Sequence, residues 1–470
     1  MAEEMKPHVA FLPSPGMGHI TPLFQLAKRL VLRHGIRVSF LVITTAAVQN
    51  FLHSAASTLS PGLSIIKVPP ADVITADMPV LTQTCLSLRE SLKPLKSILI
   101  QLNPNALIID MFTTDAIDVC TDLSVPVYSF FPASTILLAF SLHLPTLDHE
   151  IEGEYVDVPG PIQVPGCKPI RTADLLDQVK NRKIDEYKWY LFHVNRLRFV
   201  AGILINTWEN LDRSTLKALR ENSFFQNLPT PRIYPVGPLI KDEEHLTDHK
   251  DEEIIAWLDT QPRESVLLVS FGSGGILSGE QIIELALGLE MSQQRFILVV
   301  RRPAHAKAAV VSFGNHDEDN NPSEYLPDGF VERTRGVGLV VPAWAPQVAV
   351  LRHPSTGAFL SHCGWNSTVE SLAHGVPMIA WPLYAEQRMN AALLVEEVGV
   401  AVRVRIAGEE VVGREEVERV VRMVIEGEEG KGMRSRAREL KETARQAFDS
   451  GGSSFDSLCS VVESWKTHGA

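Results

Sequence analysis

Three short stretches in the second half of the chain gather side chains that bind planar rings, anions and hydroxyls. In the first, Trp344-Ala-Pro-Gln347, an indole opens a short helix just after a strand; its face is either ordinary packing or a stacking platform for a base. The second is Phe359-Leu-Ser-His362-Cys-Gly-Trp365-Asn366-Ser367-Thr-Val-Glu370. It reads as a strand ending at His362, a glycine turn, and a helix beginning near Asn366 or Ser367. A helix N-terminus presents N–H groups and the positive end of a dipole, which suits a phosphate, and His362, Asn366 and Ser367 add side-chain donors at the same spot. Ser367-x-x-Glu370 is also a capping box, a common helix start with no further function. Capping alone does not account for His, Trp and Asn around one turn. The third stretch places Glu386 and Gln387 in the loop that ends the strand-like Pro377–Trp381. Side by side there, a carboxylate and an amide can accept from and donate to vicinal hydroxyls, or simply be solvated.

These residues need a scaffold that delivers them to one edge. The first 240 residues alternate short aliphatic runs (His8–Leu12, Val38–Ile43, Ala106–Ile109, Val125–Phe131, Ile203–Ile205) with helical patterns such as Leu23–Leu32. Nearly continuous apolar runs between helices indicate a parallel sheet covered on both faces. Lys241–Glu253 is charged and aperiodic, and reads as a linker. The alternation then restarts with Val266–Phe271, the turn Gly272–Gly275, a helix at Ile282–Leu289, and further strands at Ile297–Val300, Val337–Val341, Gly357–Leu360 and Met378–Ala380. Arg414–Ile425 and Met433–Phe448 read as helices, and Arg302–Asp328 as a long loop. Val9–Leu30 and Val266–Leu289 echo one another as strand, Gly/Ser turn and helix. Two βαβ series of this kind predict two Rossmann-like doubly wound α/β domains, 1–240 and 254–450, joined by 241–253, with a terminal helix in 451–470 packing back on the first domain.

Several functions are set aside by what is missing. At 470 residues, 45% hydrophobic and 21% charged, the chain can build more than one core. Its net charge of −12 argues against nucleic-acid or anionic-membrane partners. Five scattered cysteines form no C-x-x-C pair, which argues against a disulfide framework or zinc site and fits a reducing, cytoplasmic setting. No run of about 18 apolar residues predicts a membrane span, and the acidic N-terminus lacks the pattern of a secretory signal. Gly16-Met17-Gly18 lacks the third glycine of a dinucleotide fingerprint, and Ile43-Thr44-Thr45 lacks the acid that would hold an NAD ribose. No P-loop or nucleophile elbow is present. Asp317 and Asp319 form a D-x-D, but in a polar loop with no strand delivering them, so no metal site is expected.

Trp344–Gln387, a stretch of 44 residues, resembles nearly throughout the signature box of plant secondary-product UDP-glycosyltransferases. The turn Pro13-Ser14-Pro15-Gly16-Met17-Gly18-His19 and Phe271-Gly272-Ser273-Gly274 extend the resemblance to both domains. The text is most similar to the group acting on hydroquinone, monolignols and other small phenols. The resemblance implies a GT-B fold, two domains facing across a cleft, and a monomer using UDP-glucose as a cosubstrate with no tightly bound cofactor. It implies that Trp344 stacks on uracil and the backbone at Ala345 reads its edge. Gln347 and Glu370 would take the ribose; His362, Asn366 and Ser367, with Ser273, the diphosphate; and Trp365, Glu386 and Gln387 the sugar, with Ser14 also among the donor-binding residues. Many members carry Asp where this chain has Glu386, so the carboxylate is one methylene longer.

The family's catalytic His corresponds to His19 and its supporting acid to Asp110. Both follow strand ends, the edge where α/β sites lie; Asp115 and Asp118 are rivals within a helical stretch. Met17, Phe112 and Phe140 are expected to line an acceptor pocket, with the Tyr187–Phe192 stretch nearby. The implied reaction is an inverting, metal-independent glucosyl transfer to a phenolic or related hydroxyl. Two rivals are an NAD(P) oxidoreductase on the same architecture and a non-catalytic small-molecule binder.

Overall fold

The aliphatic runs form two parallel sheets. The computed structural model describes residues 6–45, 48–56, 59–71, 78–241, 249–303, 310–311, 321–405 and 411–467. The chain divides into two units, 1–240 with 446–470, and 241–445.

The first unit holds β1 (His8–Leu12), β2 (Arg37–Ile43), β3 (Leu63–Val68), β4 (Ala106–Asp110), β5 (Val127–Phe131), β6 (Gly202–Ile205) and β7 (Arg232–Pro235), in the order β3-β2-β1-β4-β5-β6-β7. Every residue of β1, β4, β5 and β6 is buried, which is why they read as nearly continuous apolar runs. The order reverses between β1 and β4, which pair in parallel with Leu12 beside Ile109. The terminal helix, Ser453–Thr467, belongs to this unit. Its Trp465 is buried in the first core, edge-on to Tyr128, whose hydroxyl pairs with Ser464 Oγ at 2.8 Å.

The second unit holds β8 (Val266–Ser270), β9 (Gly275–Ile276), β10 (Arg295–Val300), β11 (Val310–Val311), β12 (Gly338–Pro342), β13 (Thr356–Ser361), β14 (Met378–Ala380) and β15 (Ala401–Arg403). Six of them form the parallel sheet β12-β10-β8-β13-β14-β15, and β9 and β11 make a small antiparallel pair. Here the reversal falls between β8 and β13, with Ser270 beside Ser361. In open α/β sheets ligands bind outside the carboxyl ends of the strands at such a reversal, so each unit has one marked position.

Some boundaries differ from those read in the sequence. The charged stretch 241–253 contains the start of a helix, His249–Asp259, which buries Ile254 and Leu258 at i,i+4 spacing. The stretch 302–328 holds β11 and a short turn of helix at Pro322–Glu324; Asp317 and Asp319 lie outside the described residues.

Candidate active site

The reversal in the first unit carries a histidine and an acid. Four residues after β1 the helix Met17–His34 starts, capped by Gly16, so His19 stands in its first turn rather than in a loop. His19 Nδ1 lies 2.7 Å from Asp110 Oδ2; the ring is 27% exposed and the carboxylate fully buried. Asp110 Oδ1 accepts from the backbone N–H of Phe112 at 3.0 Å, which fixes the carboxylate. Thr113 Oγ1, 3.2 Å from the Leu12 carbonyl, ties the loop after β4 to β1. With the carboxylate accepting from Nδ1, the basic lone pair falls on Nε2. The rivals are engaged elsewhere, Asp115 with Arg89 and Asp118 with Arg196.

Met17 opens the helix and is half-buried. Phe112 is also half-buried, its ring 5.6 Å from that of His19. Phe140, expected to line the acceptor pocket, is instead fully buried in Thr135–Glu150, a helix apolar nearly all round, and has no surface to offer a ligand. Ser14 is buried at the end of the β1 turn.

The reversal in the second unit brings the glycine turn after β8 against the turn after β13. His362 is wedged between them. A Cβ on Gly272 would lie 2.5 Å from its Cε1, and one on Gly364 2.5 Å from its Nε2. Gly272 also has φ +72°, so glycine is required there on both counts. Burial pulls the His362 pKa down to about 4, which keeps the ring neutral at pH 7: it can donate a hydrogen bond but brings no charge. Below about pH 6.5 the unfolded chain takes up a proton that this fold refuses, so the native state loses stability as pH falls from there toward 4. The loss for this one group reaches roughly 2 kcal/mol at pH 5. Thermal melts should therefore show Tm dropping between pH 7 and pH 5, with a shallower slope in His362→Gln; equal slopes would show that His362 titrates normally.

The helix Trp365–His374 starts one or two residues earlier than expected and is capped by Gly364, so the Ser367-x-x-Glu370 capping box does not form. Ser367 and Glu370 instead face Gln347, whose Nε2 donates to Ser367 Oγ at 3.1 Å and Glu370 Oε2 at 2.7 Å. Asn366 shares the first turn of that helix. The Trp365 indole is buried, so its backbone N–H at the helix start is the group it can present. Trp344, by contrast, is 45% exposed, with Lys241 Nζ 5.6 Å from its ring centroid, while Ala345 behind it is buried.

Gln387 is buried, and its Oε1 accepts from the backbone N–H groups of Leu383 and Tyr384 at 2.9 and 3.0 Å. That bond pair fixes the amide's orientation. Glu386 Oε1 accepts from Asn390 Nδ2 at 3.3 Å, and Asn390 also donates to the Cys363 carbonyl at 2.9 Å. One participant was not legible in the sequence. Arg301, directly after β10, donates from Nη1 to the exposed Ser273 carbonyl at 2.6 Å, holding the glycine turn across 28 residues of chain.

A family model described as UDP-glucoronosyl and UDP-glucosyl transferase matches residues 222–436. Over 470 residues the chain is 45% identical to the hydroquinone glucosyltransferase of Rauvolfia serpentina, covering 98% of each protein. The chain belongs to the UDP-glycosyltransferase family. This transferase also matches the crystal structure of TcCGT1 in complex with UDP, at TM-score 0.90 and 44% identity, covering 98% of this chain and 100% of that one. Phytolacca americana UGT2, complexed with UDP-2fluoro-glucose and pterostilbene, matches at TM-score 0.87 and 39% identity, with coverage of 98% and 100%. The two Rossmann-like units are those of the GT-B fold, and the oxidoreductase and binding-protein readings fall away. Among the described residues no helix is long and apolar enough to cross a membrane, and no three His, Cys, Asp or Glu side chains gather as a metal group.

Proposed function

We propose that this UDP-glycosyltransferase transfers glucose from UDP-glucose to the hydroxyl of a small phenol, with inversion, and that His19 is the base. The observation that carries the reading is the 2.7 Å contact between His19 Nδ1 and the buried Asp110 carboxylate. A phenol has a pKa near 10, some three to four units above imidazole, so proton transfer accompanies attack. As the phenolic oxygen bonds to the anomeric carbon, its proton passes to His19 Nε2. The bond from that carbon to the diphosphate oxygen breaks and its electron pair leaves with UDP. Asp110 holds the tautomer and stabilises the imidazolium, the logic of a triad without a serine.

The donor reading follows the second unit. Trp344 stacks on uracil beside the Ala345 backbone, and the joined Gln347 and Glu370 take the ribose hydroxyls. His362, Ser273 and the first turn of the helix with Asn366 and Ser367 meet the diphosphate as charge builds on it. The Trp365 backbone, Glu386 and Gln387 hold the sugar. The phenolic acceptor rests on the 45% identity to a hydroquinone glucosyltransferase and on the half-buried Phe112 beside the base. All five cysteines are free, which supports a cytoplasmic setting, and we take the transferase to act as a monomer.

The test is a panel of phenols, flavonoids and aliphatic alcohols incubated with UDP-glucose and read by mass. Small phenols should gain one hexosyl group; a panel in which no phenol is modified would overturn the reading. Since neutral donors and a helix end face the leaving group, activity should also survive EDTA. Loss on chelation, restored by Mg²⁺ or Mn²⁺, would direct attention to Asp317 and Asp319.

A further inference from the structure

A second histidine stands beside the dyad and takes no part in the reaction as derived above. His193, in the last turn of the helix Asp185–Arg196, is 1% exposed. Its Nδ1 lies 2.7 Å from Thr114 Oγ1, in the loop that begins at Asp110. Its Nε2, on the opposite edge of the ring, is buried with no hydrogen-bond partner among the described residues. Burial pushes its pKa down to about 3, with Arg89 and Arg196 adding to the effect and Asp110 opposing it. The ring is therefore neutral and carries one proton. If Thr114 donates its hydroxyl hydrogen to Nδ1, the proton sits on Nε2 and one donor is left over. The reverse direction leaves the Thr114 hydrogen without an acceptor and Nε2 without a donor. The first arrangement satisfies more groups, so His193 presents a buried N–H. Such groups are costly and rare in native proteins, and their usual explanation is a partner that arrives.

The surroundings indicate what kind of partner. The imidazole packs among Phe112 at 5.7 Å, Trp189 at 6.0 Å and Phe192 at 5.1 Å between ring centroids. All three rings are half-buried, so each presents part of its surface while covering the imidazole. Phe112 is also the ring beside His19. One aromatic side chain thus packs against both imidazoles.

We propose that His193 is a specificity-determining residue for the acceptor. Its Nε2–H donates to an oxygen substituent on the far side of an aromatic ring whose phenolic hydroxyl faces His19. The preferred acceptors are then phenols bearing a second oxygen function, such as hydroxyl, methoxyl or carbonyl. This rests on the reading of His19 as the acceptor's base.

The test compares 3- and 4-methoxyphenol with 3- and 4-ethylphenol, pairs of nearly equal size that differ in one acceptor oxygen, with UDP-glucose as donor. The native enzyme should favour at least one methoxyphenol over its ethyl partner by roughly five- to tenfold in kcat/KM, the size of one neutral hydrogen bond. His193→Gln carries a polar group out to the position of Nε2 and should keep the preference. His193→Asn keeps one near Nδ1, with the bond to Thr114, and should lose it while turning over the ethylphenols as before. Equal use of both pairs by the native enzyme overturns the proposal without any variant being made. So does an Asn variant that retains the preference, or a uniform loss on all four phenols in both variants, which would mark a structural role. A native enzyme inactive on every phenol would instead overturn the acceptor reading.

Discussion

Replacing His19 with alanine lowers transfer to phenols by about 10²–10⁴, the usual worth of a general base, and abolishes transfer to aliphatic alcohols. The difference between the two acceptors follows from acidity. A phenol can lose its proton to solvent at some cost, whereas an aliphatic alcohol depends on the base throughout the attack. UDP affinity should stay nearly unchanged, because the groups read as binding UDP lie mostly in the second unit, while His19 stands on the first turn of Met17–His34 in the first. Asp110→Asn should fall in the same direction: the amide no longer accepts from Nδ1 on the same terms, and the tautomer with Nε2 basic loses its support. Steady-state kinetics on a phenol and an alcohol, with UDP titrated calorimetrically, would check both. A His19→Ala enzyme with near-normal turnover on every acceptor would refute the dyad.

The second large effect is on the sugar. Stacking on Trp344 tolerates any base, and the diphosphate is common to all nucleotide sugars, so discrimination among UDP-sugars falls to the loop of Glu386 and Gln387. Gln387 Oε1 is already committed to the Leu383 and Tyr384 N–H groups, and its side chain also bonds the Tyr384 hydroxyl, which leaves one amide N–H to offer a sugar hydroxyl. Gln387→Ala removes that donor and loosens the loop together. Glucose transfer should fall about 10- to 100-fold in kcat/KM, one hydrogen bond plus the lost positioning, with UDP affinity little changed. The Glu386 carboxylate should make UDP-glucuronate a very poor donor by like-charge repulsion. Arg388 lies two residues on, but its guanidinium donates to the Leu383 carbonyl at 3.2 Å. A donor screen in which UDP-glucuronate outperforms UDP-glucose, or unaltered glucose kinetics in Gln387→Ala, would refute this assignment.

The sequence announced its central strands and its turns because those features are local. β1, β4 and β8 are buried at every position and are apolar except at one end. The edge strand β3 buries only its first and last residues, and the three-residue β15 buries only its first, so neither stood out. The helix His249–Asp259 was hidden because its two buried residues sit among five charged side chains. Ser367 and Glu370 had the spacing of a capping box, but Gln347, 20 residues earlier, competes for both, and tertiary contact overrides the local pattern. Phe140 shows the converse limit. In a helix apolar nearly all round, hydrophobicity cannot tell a pocket wall from a core residue. Arg301 and His193 carried no sequence signal, since each gains its meaning from a partner 28 or 79 residues away.

The central claim is that the acceptor oxygen displaces UDP directly, with no covalent enzyme intermediate. The anomeric configuration of the product tests it most directly. A phenol incubated with UDP-α-glucose, with the product examined by NMR, should give the β-glucoside alone, with one UDP released for each glucoside formed. An α-linked product would contradict the account.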